Sequence, residues 1–219
     1  MVETAAHLVP PEPTPEELRA SAAGCRACPL WRTATQTVFG EGPPSARLMM
    51  VGEQPGDRED LEGAPFVGPA GKLLDRALEA AEIDRDLVYV TNAVKHFKWH
   101  AGPGARRIHD TPNERELVAC RPWLDAEIAV VGPEILVCLG ATAAKAMLGR
   151  DFRVTRQRGQ VFTMLGGLEV MATIHPSAVL RSRDDEGRRA QMGLLIEDLG
   201  RASELLRDGA GRGPGARPA

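Results

Sequence analysis

Four short apolar runs constrain the fold more than any other feature: "ARLMMVG" (46–52), "LVYVTNAV" (87–94), "EILVCLG" (134–140) and "EVMATIH" (169–175). None alternates polar and apolar residues as a strand with one wet face would, so each reads as a strand buried on both sides. Helical patterns fall between and after them, at 69–83, 111–132, 140–149 and 188–206, and a further one at 15–24 opens the domain. Strands alternating with helices predict an α/β fold with a central, mostly parallel four-stranded sheet and helices on both faces. "GQVFTMLGGLEVM" (159–171) predicts a hairpin feeding the last strand.

A chain of 219 residues, 43% hydrophobic and 26% charged, suits one domain. The expected boundaries are 14–207. The proline-rich stretch 1–13 and the low-complexity stretch 208–219 are expected to be flexible, because neither carries enough apolar surface to offset the entropy of ordering. No apolar stretch approaches the roughly 20 residues that span a bilayer, and the acidic N-terminus is unlike a signal peptide. The expectation is a cytoplasmic monomer with no membrane association. In a reducing compartment the four cysteines are not expected to form disulfides.

The net charge of -3 argues against a protein that binds polyanions over its whole surface. Positive charge is concentrated instead in one stretch. From Lys95 to His109 there are four basic residues (Lys95, Lys98, Arg106, Arg107), three of the five histidines (His96, His100, His109) and no acid. Such a loop can engage phosphates locally, although an Arg-Arg-Ile-His run is on its own usually a solvated surface.

Each predicted strand ends in chemically useful residues: "GEQPGD" (52–57), "TNAVKH" (91–96), "GATAAK" (140–145) and "HPS" (175–177). In open α/β sheets ligands bind outside the carboxyl ends of the strands, so Glu53, Gln54, Asn92, His175 and Ser177 should share one rim. Any one of them alone reads as a cap or a satisfied core residue; together they predict a site. Phe66, in a Gly/Pro-rich loop, is suited to stacking on a planar ring. The same loop is not a nucleotide-binding phosphate loop, since GxxxxGK ending at Lys72 requires glycine where Phe66 stands.

Cys25 and Cys28 form a C-x2-C pair, and Cys120 and Cys138 follow on a predicted helix and the third predicted strand. Four soft thiolate donors fit either a tetrahedral zinc or a [4Fe-4S] cluster, and spacing does not choose between them.

"CRACPL", "GEQPG" with "PFVGPAGKLLD", "TNAVKH", "ACRPWL", "LGATAAK" and "HPS", in that order, resemble the iron-sulfur uracil-DNA glycosylases of family four over residues 21–200. The resemblance implies a three-layer α/β/α glycosylase fold and assigns the four cysteines to a [4Fe-4S] cluster. Two departures point to the X-type branch, UdgX, which becomes covalently attached to uracil-containing DNA: Gln54 stands where ordinary members carry alanine, and a basic loop ending in "RRIH" follows "TNAVKH".

The roles implied by the resemblance follow residue by residue. Gly52, Phe66 and Asn92 would hold a flipped or single-stranded uracil, with single-stranded DNA the favoured substrate. His175 would donate to uracil O2 as charge develops, and Ser177 would contact phosphate. Glu53 would stabilise the sugar cation and activate a nucleophile. In the X-type branch that nucleophile is His109, with Gln54 beside it and Lys98, Arg106 and Arg107 on the DNA. The alternatives are a turnover family-four enzyme that releases uracil and free abasic DNA, and a non-catalytic iron-sulfur protein that binds single-stranded DNA.

Overall fold

The structure, a computed structural model, describes residues 3–209. The stretch 210–219, most of the tail expected to be flexible, lies outside the described residues, as do residues 1 and 2. The strands are β1 (Leu48–Gly52), β2 (Val88–Asn92), β3 (Trp99–Ala101), β4 (Arg107–His109), β5 (Ile135–Leu139), β6 (Val161–Thr163) and β7 (Glu169–Thr173). The helices are α1 (Pro15–Ala22), α2 (Asp57–Glu62), α3 (Pro69–Ala80), α4 (Glu114–Val131), α5 (Ala141–Leu148), α6 (Val154–Gln157), α7 (Ser177–Leu180) and α8 (Asp185–Gly209).

The four apolar runs become β1, β2, β5 and β7, mutually parallel and adjacent in the sheet order β2-β1-β5-β7-β6. The sheet has five strands rather than the expected four. The fifth, β6, is the first arm of the predicted hairpin and runs antiparallel to β7. It spans only three residues, none of them buried, but its pairing covers the outer edge of β7, whose backbone groups would otherwise stay open.

Strand residues alternate between two helical layers. Met50, Val90, Val137 and Met171 pack with Leu74 and Leu78 of α3 and Leu195 and Leu199 of α8. Met49, Val51, Leu136 and Val170 pack on the other face with Leu124 of α4 and Ala143 and Met147 of α5. Burial on both faces explains the absence of polar alternation. The resulting three layers are consistent with the glycosylase fold that the motifs imply.

A third cluster lies where the N-terminal segment meets α4. Leu18, Ala22, Cys25, Cys28 and Leu30 pack against Ala119, Cys120 and Trp123. A capping box between Thr14 and Glu17 starts α1, and another between Asn113 and Glu116 starts α4. Residues 5–8, within the stretch expected to be flexible, form one 3-10 turn with Ala5 buried; Ser21 donates to the Leu8 carbonyl at 2.6 Å. Among the described residues no helix is long and apolar enough to cross a membrane.

Parallel strands deliver their carboxyl ends to one rim, so Glu53, Asn92, Gly140 and His175 emerge together there. A separate β3–β4 hairpin, registered as Trp99↔His109 and Ala101↔Arg107, brings His109 to the same rim.

Candidate active site

A cavity of about 810 Å³ opens at this rim, lined by Glu53, Phe66, Asn92, His109, His175 and Ser177 among others. It therefore gathers residues from four strand ends, the Phe66 loop and the hairpin, as the sequence predicts. A smaller cavity of about 440 Å³, between Arg47, Leu48, Ile83 and Leu206, lies at the opposite end of the strands and holds none of the predicted site residues.

One half of the cavity is a slot built from the core. Gly52 is required there by close approach: a Cβ on it would lie 2.3 Å from Asn92 Oδ1 and 2.8 Å from the tip of Phe66. Phe66 has φ +57°, a left-handed conformation that costs an aromatic residue on the order of 1–3 kcal/mol. Its surroundings enforce it, because the Gly71 backbone packs directly on the Phe66 carbonyl and Glu59 accepts the Gly68 amide at 2.9 Å. The Phe66 ring lies 6.3 Å from the His175 ring at an interplanar angle of 29°.

The His175 tautomer follows from its hydrogen bonds. The Ser177 backbone N–H donates to Nδ1 at 3.1 Å, and the Ser177 hydroxyl lies 2.7 Å from the same nitrogen. An Nδ1 that accepts carries no proton, so in the neutral ring the proton sits on Nε2. Burial, helped by Arg181 and His109, lowers the His175 pKa to about 4, which keeps the ring neutral. Ser177 also accepts from Arg181 at 2.8 Å. The serine expected at phosphate therefore orients the histidine, and Arg181 is brought to the rim beside it.

The other half depends on polar contacts. His109 Nε2 lies 3.4 Å from Glu53 Oε1, and the other Glu53 oxygen accepts from the Thr142 hydroxyl at the start of α5. The Gln54 side chain clamps both feet of the hairpin. Its amide donates to the Lys98 and Asp110 carbonyls at 3.1 and 3.0 Å and accepts from the Lys98 N–H at 3.0 Å. Alanine could make none of these bonds. Gln54, predicted beside the reacting atoms, thus positions the hairpin that carries His109.

The three cations predicted at DNA do not behave alike. Arg106 is exposed near the hairpin tip. Arg107 turns inward between Asp57 and Asp60, both at 2.5 Å, with Phe97 and Trp99 against its guanidinium. Lys98 pairs with Glu116 at 3.0 Å. Arg107 and Lys98 therefore hold the hairpin to α2 and α4, and of the three only Arg106 is exposed. Sequence reasoning missed Asp57, Glu59, Asp60 and Thr142. The acidic "DREDLE" directly after "GEQPG" was the available signal for the first three, and the strand ending "GATAAK" was the signal for Thr142.

The cysteines separate into three and one. Cys25, Cys28 and Cys120 share one buried cluster, where Trp123 Nε1 donates to Cys25 Sγ and the Lys95 N–H to Cys120 Sγ, each at 3.3 Å. Cys138 packs elsewhere. β5 projects it with Leu136 toward Ala143 and Ala144 of α5, so the predicted set of four is not brought together. Burial raises the Cys120 thiol to about 12 and raises those of Cys28 and Cys138, so a nearby cation is what would deprotonate them. A tetrahedral zinc needs its donors about 2.0–2.3 Å from one point. Among the described residues no three His, Cys, Asp or Glu side chains converge in that way.

The strand-end slot, the paired carboxylate and histidine, and the HPS turn all lie within a stretch that matches a defined class. The Uracil DNA glycosylase superfamily model covers residues 39–200, and the chain belongs to that superfamily. Within it the chain is 40% identical over 184 residues to a Type-4 uracil-DNA glycosylase of Thermotoga maritima, covering 84% of this chain and 90% of that protein. A Type-4 uracil-DNA glycosylase of Sulfurisphaera tokodaii is 39% identical over 173 residues, or 75% of each chain. A Type-5 uracil-DNA glycosylase of Pyrobaculum aerophilum is 29% identical over 171 residues.

Proposed function

We propose that this protein is a uracil-DNA glycosylase that cleaves the bond between uracil and deoxyribose in DNA. The observation that carries the reading is the convergence of Asn92, Phe66, His175 and Glu53 on one cavity. A base inside a duplex is out of reach, so the nucleotide enters flipped or from a single strand. Phe66 stacks on the base, and the Asn92 amide pairs with the O4 and N3–H edge, which cytosine presents with reversed donors and acceptors. As the glycosidic bond breaks, its electron pair leaves with uracil. The Nε2–H of neutral His175 donates to O2, where negative charge accumulates. Glu53, held by Thr142, faces the developing sugar cation.

Glu53 then takes the proton of a water molecule as its oxygen bonds to C1′, and passes it to the departed uracil anion or to solvent, giving free abasic DNA and an enzyme ready to turn over. The Type-4 names of the relatives favour this outcome. One observation favours a second reading, covalent capture: His109 Nε2 stands 3.4 Å from Glu53. An imidazole so placed competes with water at high effective concentration. Its nitrogen bonds to C1′ as the bond to uracil breaks, and its proton passes to Glu53 or to solvent. Incubation with a uracil-containing oligonucleotide separates the readings. Turnover yields many abasic products per protein and no SDS-resistant species. Capture yields one heat-stable adduct per protein, lost in His109→Ser with multiple turnover appearing in its place. No uracil release from either protein removes the glycosylase reading itself.

The buried thiols Cys25, Cys28 and Cys120, packed together where the N-terminal segment meets α4, are the support for a [4Fe-4S] cluster as the resident cofactor.

A further inference from the structure

Of the chain's three tryptophans, Trp123 is wholly buried, whereas Trp31 and Trp99 are partly exposed. Trp31 lies in the 3-10 turn Pro29–Arg32. The Arg26 guanidinium stands over its ring, 4.6 Å from the centroid, and that of Arg32 at 5.7 Å. Both arginines are exposed, and neither forms an ion pair with another described residue. Arg107 and Lys98, by contrast, are spent on carboxylates. Two cations gathered on one indole with no carboxylate between them repel each other, so the patch attracts an anion. A planar guanidinium suits phosphate in particular.

The patch is continuous with the catalytic rim. Trp99 Nε1 donates to the Thr33 carbonyl at 3.0 Å, and Arg107 donates to the Thr35 hydroxyl at 3.4 Å, so the segment after Trp31 lies along the hairpin. Two residues of chain span at most about 7 Å, which keeps Trp31 near Thr33 and the hairpin. Trp99 is the cross-strand partner of His109, which lines the cavity. His109, Trp99 and Trp31 therefore lead from the cavity across the hairpin to the N-terminal segment. The carboxylates of Asp57, Asp60 and Asp110, beside this route, are paired with Arg107 and His100.

Resting on the uracil-DNA reading above, we propose that Trp31, Arg26 and Arg32, together with Trp99, form a second binding site, which holds single-stranded DNA flanking the uracil. Bases stack on the two indoles, and phosphates meet the two arginines. The site reads no sequence, because every base has a π-face. A duplex keeps its bases stacked on one another, so it can use the arginines but not the indoles.

The test uses the full chain as wild type, Trp31→Ala, Trp31→Phe and the double variant Arg26→Ala with Arg32→Ala. Two single-stranded probes carry 2′-fluoro-deoxyuridine, whose fluorine slows glycosidic cleavage: a trinucleotide, and a strand of about 20 nucleotides, long enough to cover both sites. Dissociation constants are measured across a salt series, and uracil release is followed on the matching deoxyuridine strands. Trp31→Ala should weaken binding of the long probe on the order of tenfold, the loss of one stacked base, while Trp31→Phe retains most of the affinity. The arginine variant should lower the salt slope by about 1.4, for two phosphate contacts on a single strand. Trinucleotide binding and its uracil release should stay unchanged throughout. Unchanged binding of the long probe in the arginine variant, or in a folded Trp31→Ala, overturns the site and leaves the glycosylase reading standing. The arginine variant alters only exposed side chains, so the test holds even where Trp31→Ala does not fold. An equal loss on the trinucleotide, or an equal effect of Trp31→Ala on a duplex, also overturns the site. No uracil release by the wild type from either strand removes the glycosylase reading, and this site with it.

Discussion

The half of the cavity proposed to face the base grows from the ends of buried parallel strands at Gly52, Asn92 and His175, with Phe66 supplied by the loop before α3. The half proposed to face the sugar is completed by a short hairpin whose strands span three residues each, held by Gln54, Arg107 and Lys98. Exposure follows the same division: Asn92 is 3% exposed and Phe66 8%, against 47% for the His109 side chain. A slot made from core packing can shift only if the core shifts, which suits discrimination between bases. A hairpin tied by a few polar contacts can be present, altered or absent without touching the slot. On the proposed roles, the chemistry that follows base release can therefore vary while base recognition stays constant.

The largest expected effect breaks the hairpin side. Arg107→Ala leaves Asp60, wholly buried, without its cation, and removal of one partner of a buried pair costs about 3–5 kcal/mol. Chemical denaturation should show a loss of that size; a loss below about 1 kcal/mol would show that Asp60 is satisfied without the arginine.

On the slot side, His175→Ala should lower the single-turnover rate of uracil release by about 10²–10³-fold, the usual effect of removing one oxyanion donor. DNA binding should stay nearly unchanged. The pH dependence is a subtler probe of the same residue. Its folded pKa, about 4, lies below the ordinary imidazole value of about 6.5, so the unfolded chain binds the proton more readily. The stability contributed by neutral His175 is complete above about pH 6.5 and declines as pH falls toward 4. Wild-type denaturation midpoints should fall across that window more steeply than those of His175→Gln.

Gln54→Ala sharpens the comparison because it removes three hydrogen bonds that only the hairpin uses, each worth about 0.5–1.5 kcal/mol. Amide exchange at Lys98 and Asp110 should accelerate at least tenfold, with uracil excision retained. Any adduct through His109 should form at least tenfold more slowly. Equal exchange rates would place the restraint elsewhere in the hairpin.

The smallest effect belongs to Arg106. Arg106→Ala should leave stability within about 0.5 kcal/mol while reducing the salt slope of DNA binding by about 1. An unchanged slope would remove Arg106 from the phosphate contacts.

The sequence by itself determined the sheet's four parallel strands and the shared rim, because strands buried on both faces leave continuous apolar runs and parallel topology sends their ends to one side. It also placed Glu53, Asn92 and His175 together for that reason. Only the tertiary structure decided which way the polar side chains turn. The sequence shows "RRIH" as a single basic loop, yet Arg106 faces solvent and Arg107 is spent on Asp57 and Asp60, some fifty positions earlier in the chain. The cysteines follow the same rule. Their number and the C-x2-C spacing are legible, but Cys138 packs under α5 with Leu136, in a different cluster from Cys25, Cys28 and Cys120, which sit where the N-terminal segment meets α4. Ion pairs and metal ligands join residues far apart in sequence, so no local periodicity records them, whereas burial of a strand is recorded in every residue it contains.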